Sequence, residues 1–233
     1  MGGGLVAVVF DGGTARDTHA DLQSAAAPNP FTQYFTGMGN KRVLIAPTIS
    51  SQQPGWGITD TSSVHYHAQH VTGTVCGDGA SLASARGFAP EAYVVSMGWG
   101  SMNTERQILR HYFRHVADNH SYGNSSTYSS TGNYVRSEYG GYDSSAQSSD
   151  IDIRDILLNM CKSAGNDGDA SSTGYTCTHD SCIKNALVIA ATSDGGTISG
   201  SSSSLHQSSF IDTSHQKKSA AACGTTRPFL QPK

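Results

Sequence analysis

Apolar and polar residues fall in blocks along this chain, and the blocks predict which segments lie inside. LVAVVF (5–10) is a short Val-rich run that stops at DGG, the pattern of a buried strand ending in a turn. AYVVSMG (92–98) and NALVIAATS (185–193) repeat that pattern, and KRVLIAP (41–47) is a weaker version. NTERQILRHYFRHVADN (103–119) instead places Ile108, Leu109, Tyr112, Phe113 and Val116 on one face, which is helical spacing, with Asn103 or Thr104 as its cap. DIDIRDILLNMCKSAGN (150–166) passes from a helix into a strand that ends at the Ala164-Gly165 turn. Strands alternating with helices predict an α/β fold of three layers, a mostly parallel sheet flanked by helices, with its chemistry at the carboxyl ends of strands.

The polar blocks divide the chain. Residues 124–149 are dominated by Ser, Tyr and Gly and predict a long exposed loop. From about Gly195 onward few apolar residues remain and no period is visible, so 1–195 is expected to be the folded domain and 196–233 an irregular or disordered tail.

Composition narrows the function classes. The chain has 233 residues, 36% of them hydrophobic, enough for one domain with a substantial core. Only 14% are charged, and the net charge of −3 comes with no basic stripe, which argues against nucleic acid as a partner. No apolar run approaches the roughly 20 residues that span a bilayer, so no membrane partner is expected. MGGGLVAVVF has no basic leader region and no cleavage site, so it is not a signal peptide. It enters a strand almost at once, so its first residue is expected to be a boundary rather than a natural domain start. The five Cys form no CxxC, which argues against a zinc ribbon. Cys76 and Cys161 are expected in the core, and Cys177 and Cys182 either form a small disulfide or are free thiols.

Two stretches carry candidate chemistry. Asp11 stands where β-type sequence gives way to Gly12-Gly13: either a turn residue or a carboxylate placed to orient a histidine. HYHAQHVTGT (65–74) holds His65, His67 and His70 as HxHxxH. Three imidazoles at that spacing could hold zinc, giving a zinc-dependent hydrolase, although Gln69 stands where metal-dependent hydrolases of similar pattern carry an Asp.

The segment HAQHVTGT also resembles the histidine motif of the subtilisin-like serine proteases (subtilases), HGTHVAGT, with Ala68 and Gln69 replacing its Gly and Thr. VAVVFDGGTARDTHADL resembles the family's aspartate motif, ARGFAPEAYVVSMG the stretch after its histidine helix, NHSYG its substrate-pairing strand, KSAGNDG its oxyanion segment, and NALVIAATS the strand that follows. The order is that of the family from about residue 5 to 193. The resemblance implies a serine endopeptidase in which Asp11 orients His67, His67 is the general base, and Asn166 donates to the oxyanion. It makes His70 a packing residue and leaves His65 without a role. It implies that Ser121, Tyr122 and Gly123 pair with an extended polypeptide substrate. It also implies export to the outside of the cell and no required cofactor, with structural calcium as an option for Asp143, Asp150, Asp152 and Asp169, although solvated loop carboxylates are the better reading of these four.

The family's serine motif, GTSMAxP, has no counterpart here. CGTTRPFLQP (223–232) would place Thr226 at the serine position, but Arg227-Pro228 oppose a helix start there. HQSSF (206–210) resembles the family's FSSxGP, and after it the motif likeness stops. The pattern predicts a catalytic domain whose C-terminal part is incomplete, with the nucleophile unassigned and weak or absent hydrolysis. A non-catalytic module that holds an extended peptide is the remaining alternative.

Overall fold

A computed structural model describes residues 1–24, 28–100, 102–123, 142–165, 181–191 and 220–222. The chain divides into two compact units, Met1–Ser121 and Tyr122–Lys233.

The first unit is built on four parallel strands: β1 (Val6–Asp11), β2 (Val43–Ile45), β3 (Tyr93–Gly98) and β4 (Ala117–His120), in the order β2-β3-β1-β4. Val8 pairs with Val95 on one side and Asp118 on the other, and Asp11 pairs with Gly98, so the carboxyl ends of β1 and β3 are level. Side chains of successive strand residues point to opposite faces. On one face Val9, Val43 and Val94 meet Val71, Val75 and Cys76 of helix α2 (Tyr66–Cys76). Each fully buried Val contributes roughly 1.5–3 kcal/mol. On the other face Tyr93 packs edge-on against Phe31, which packs edge-on against Phe113 of α3 (Met102–Phe113). Helices on both faces of a parallel sheet give the expected three-layer α/β architecture.

A buried cation braces this unit. Arg42 is fully buried and donates to the carbonyl oxygens of Asp21 (2.5 Å), Cys76 and Pro90. It thereby ties the turn after β1, the end of α2 and the approach to β3 to one point. Both terminal nitrogens are satisfied in this way, and the Asp78 carboxylate stands 3.8 Å from Nη2, which together make the buried guanidinium tolerable.

The second unit contains α4 (Ser144–Ile156), β5 (Asn159–Ser163), β6 (Leu187–Ala191) and β7 (Ala220–Ala222), with the three strands parallel in the order β5-β6-β7. Ala146, Ile153, Met160, Ile183 and Ala186 form its core.

Several expected boundaries move. The strand expected over 41–47 ends at Ile45, because Pro47 fits the first turn of a helix, and α1 (Ala46–Gln52) starts there. Helix α3 already includes Asn103 and Thr104, so neither is its cap, and it stops at Phe113 because Arg114 turns to φ 49°. Val116, expected on its apolar face, is exposed, and the next residue opens β4. The loop expected over 124–149 gives way at Ser144 to α4, whose cap is Asp143, accepting from the Ala146 N–H at 2.9 Å. Residues 220–222, expected to be irregular, form β7. Cys76 is a buried free thiol whose pKa burial pushes to about 12, whereas Cys161 is only half-buried. Cys177 lies outside the described residues, and with it the Cys177–Cys182 bridge.

Candidate active site

The site is assembled at the carboxyl end of β1. Asp11 is the last residue of that strand and only 2% exposed, so its carboxylate needs partners. One is the next backbone N–H, Gly12, which donates to Asp11 Oδ1 at 2.7 Å. The other arrives from α2. Thr14 and Val64 form an isolated parallel bridge, in which Thr14 N–H donates to the Ser63 carbonyl and His65 N–H donates to the Thr14 carbonyl, both at 2.9 Å. The bridge fixes where α2 begins. Gly13 is required there because a side-chain carbon would collide with the Ser63 carbonyl.

That start delivers His67, in the first turn of α2, onto Asp11. Its Nδ1 lies 2.8 Å from Asp11 Oδ2 and 2.9 Å from Oδ1. The carboxylate can only accept, so Nδ1 carries the hydrogen and Nε2, across the ring, has the open lone pair. The hydrogen bond that His67 donates to Asp11 raises the His67 pKa; burial lowers it by less, and the charge of Asp11 adds to the rise. The imidazole is 42% exposed, so it is held by a buried group yet can exchange protons with something outside.

The two departures from the family's histidine motif have structural uses. Ala68 is fully buried. Gln69 accepts the Arg16 N–H at 2.7 Å through Oε1, adding a second tie between α2 and the segment after β1.

The three histidines separate. His65 precedes α2 and sets its Nδ1 3.7 Å from Asp11 Oδ1. His70, expected to pack, lies instead on the exposed side of α2; desolvation by its surroundings and then the charge of His67 lower its pKa. The expected zinc alternative therefore finds its third imidazole elsewhere. Among the described residues no group of three or more His, Cys, Asp or Glu is placed to hold a metal ion.

Of the other expected residues, Ser121 follows His120, the register partner of Phe10, and so leaves the first unit's sheet level with Asp11. Its hydroxyl accepts from the Asn119 side-chain amide at 2.9 Å. Tyr122 and Gly123 open the second unit. There the Tyr122 carbonyl accepts from Lys162 Nζ and, at 3.4 Å, from Ser163 Oγ. Asn166, Asp169 and Thr226 lie outside the described residues. Asp143 caps α4. Asp150 accepts the backbone N–H groups of Lys184 (3.0 Å) and Asn185 (2.6 Å) and the Tyr142 hydroxyl (2.9 Å), which binds the loop before β6 to α4. Asp152 is buried on the same helix.

Sequence reasoning missed two carboxylates. Asp60 holds the loop before α2 to the end of β3, accepting the Gly98 N–H at 2.6 Å and the Ser62 N–H at 2.8 Å. Glu105, in the first turn of α3, is buried with neither carboxyl oxygen hydrogen-bonded. Burial and then the charge of Asp60 raise its pKa to about 7. Asp60 stands between Thr59 and Thr61 and Glu105 between Thr104 and Arg106, so each reads as an ordinary surface carboxylate in the sequence.

A family model described as the Subtilase family matches residues 3–225, running on past HQSSF, where the motif likeness stops. A comparison with curated protein sequences finds no match. Among solved structures the chain is similar to the patellamide maturation protease PatA, with a TM-score of 0.52 and 16% identity over 87% of this chain and 61% of that one. The self-cleaved protease domain of PatA gives 0.53 and 16% over 87% and 63%. The psychrophilic subtilisin-like protease Apa1 from the Antarctic psychrotroph Pseudoalteromonas sp. AS-11 gives 0.51 and 13% over 86% and 39%. At these identities the likeness is one of fold, and it is the subtilisin-like α/β fold. The chain spans less than two thirds of the length of each of these proteins.

Proposed function

Because the chain belongs to the subtilase family, we propose that Asp11 and His67 are the orienting carboxylate and general base of a serine-type endopeptidase. The observation that carries this is the 2.8 Å approach of His67 Nδ1 to a buried Asp11 carboxylate, with the rest of the ring open to the outside. In the reaction His67 Nε2 takes the proton of a hydroxyl as its oxygen attacks the carbonyl carbon of an extended peptide. The tetrahedral oxyanion accepts from the Asn166 side-chain amide. Collapse breaks the C–N bond, and the proton passes from His67 to the leaving amine; water then repeats the sequence on the acyl ester. Removing an oxyanion donor such as Asn166 costs about 100- to 1000-fold in turnover.

Ser121, Tyr122 and Gly123 are the backbone that the substrate pairs with, as an added strand. The hydroxyl is not assigned: Thr226 is the candidate nearest the family's serine position. Action outside the cell, with calcium as a structural option only, is the setting the family suggests; no helix among the described residues is long and apolar enough to cross a membrane.

The test is labelling of the full chain with a fluorophosphonate followed by peptide mass mapping. The expected result is weak labelling of one hydroxyl, as the missing serine motif predicts, lost in His67→Ala and in Asp11→Ala. Peptide binding without label or product would replace this reading with a non-catalytic peptide-binding module.

A further inference from the structure

His65 is the histidine for which the sequence offered no role, and its surroundings are specific. Its backbone is fixed at both ends, N–H to the Thr14 carbonyl (2.9 Å) and carbonyl to the Gln69 N–H (3.0 Å). Its ring lies flat enough against the chain after Asp11 that a carbon added at Gly12 would stand 3.2 Å from Cε1 and 3.3 Å from Nδ1. That Nδ1 is buried, has no hydrogen-bond partner, and faces Asp11 Oδ1 at 3.7 Å. The distance is too long for a hydrogen bond and short enough for an ion pair. A buried ring nitrogen left unpaired is costly, and the carboxylate that already serves His67 stands within ion-pair reach of it.

We propose that His65 is a positioning residue for Asp11: a second imidazole on the same carboxylate, whose protonation draws Oδ1 away from His67 and weakens it as a base. With His65 neutral, Asp11 is left to Gly12 N–H and His67. With His65 charged, its Nδ1–H closes on Oδ1, and the two rings compete for one negative charge. The groups facing it are few. From β1 there is Asp11; from α2 there are His67, with ring centroids 6.5 Å apart, and Tyr66, at 4.6 Å. The Asp60 carboxylate of the preceding loop is turned to Gly98 and Ser62.

The proposal rests on Asp11 and His67 acting as a pair, and the test separates the two. Imidazole 15N chemical shifts of the full chain are followed against pH in wild type, His65→Asn, Asp11→Asn and the double variant. Direct repulsion between two unit charges 6.5 Å apart in a water-like dielectric is worth about half a pH unit. Competition through Asp11 adds to it, so His65→Asn is expected to raise the His67 midpoint by about one unit. In the Asp11→Asn background the same change should shrink to about half a unit. An equal shift with and without Asp11, or no shift, overturns the proposal and makes His65 a packing ring on Gly12. If Asp11→Asn alone leaves His67 unmoved, the pair itself fails. His65→Gln serves if His65→Asn does not fold.

Discussion

Two aspartates on neighbouring strands of the same sheet hold histidines, and only one pair can do chemistry on something outside. Asp11 ends β1, and its partner His67 is 42% exposed. Asp118 sits within β4, register partner of Val8, at 1% exposure. Its Oδ2 is 2.8 Å from Arg106 Nε and its Oδ1 2.8 Å from His115 Nε2, with His120 at 3.8 Å; all three partners are buried. His120 also stacks on Phe10, ring centroids 5.0 Å apart, one residue before Asp11. Residue types are nearly the same in the two clusters. What differs is position along the strand. At the carboxyl end of β1 an imidazole arrives from a helix start and keeps one edge open; in the middle of β4 it is sealed. The inner cluster supports the sheet, and the outer one can exchange protons.

The largest expected effect breaks the inner cluster. Asp118→Ala leaves a buried guanidinium without its carboxylate, and such losses cost about 3–5 kcal/mol. Asp11→Ala, at the rim, should cost about 1 kcal/mol. Urea unfolding of both variants measures this; equal costs would remove the distinction.

Glu105 sharpens the contrast, being buried with neither kind of partner. Its folded pKa of about 7 lies above the ordinary 4.5, so the folded state binds the proton more tightly. Stability therefore falls as pH rises from 4.5 through 7, and the full penalty is present above that. Glu105→Gln should gain about 1–3 kcal/mol at pH 8 and nothing at pH 4. Unfolding at both values checks it, and a gain of equal size at pH 4 would assign the effect to packing.

The rim elements were legible in the sequence because hydropathy marks them. VAVVF is uniformly apolar and stops at an Asp followed by two glycines, so both β1 and the place of Asp11 could be read. HAQHVTGT announces a helix start with a histidine on its first turn. The inner cluster was not legible for the opposite reason. In HVADNH the inward-facing residues of β4 are Asp118 and His120, so the buried side looks polar, and the apolar spacing of Ile108 to Phe113 carried the predicted helix across it. What makes those residues buriable is Arg106, in the first half of α3, and His115. That pairing exists only in three dimensions. Arg42 was missed likewise: its partners are three backbone carbonyls in separate segments and the Asp78 carboxylate. The helix α4 was hidden by its serines, since Asp143 and Ser144 read as loop until Asp143 is seen capping Ala146.

The two pairs also respond to pH with opposite sign. Burial pushes the Asp118 carboxyl up, but hydrogen bonds and charges from His115 and His120 outweigh it and hold it below 3.8. Its stabilisation is present above that value and is lost as pH falls through the folded pKa. His67 is raised above 6.5 by its hydrogen bond to Asp11. Its stabilisation is present below 6.5 and is lost as pH rises through the folded pKa.

That hydrogen bond is where the account is most directly exposed. The measurement is the His67 titration midpoint, read from its imidazole 15N shifts in wild type and in Asp11→Asn. The wild-type midpoint is expected above 6.5, with the proton on Nδ1 in the neutral ring, and a clear downward shift is expected in the variant. A midpoint unchanged by Asp11→Asn, or a neutral ring protonated on Nε2, would contradict it.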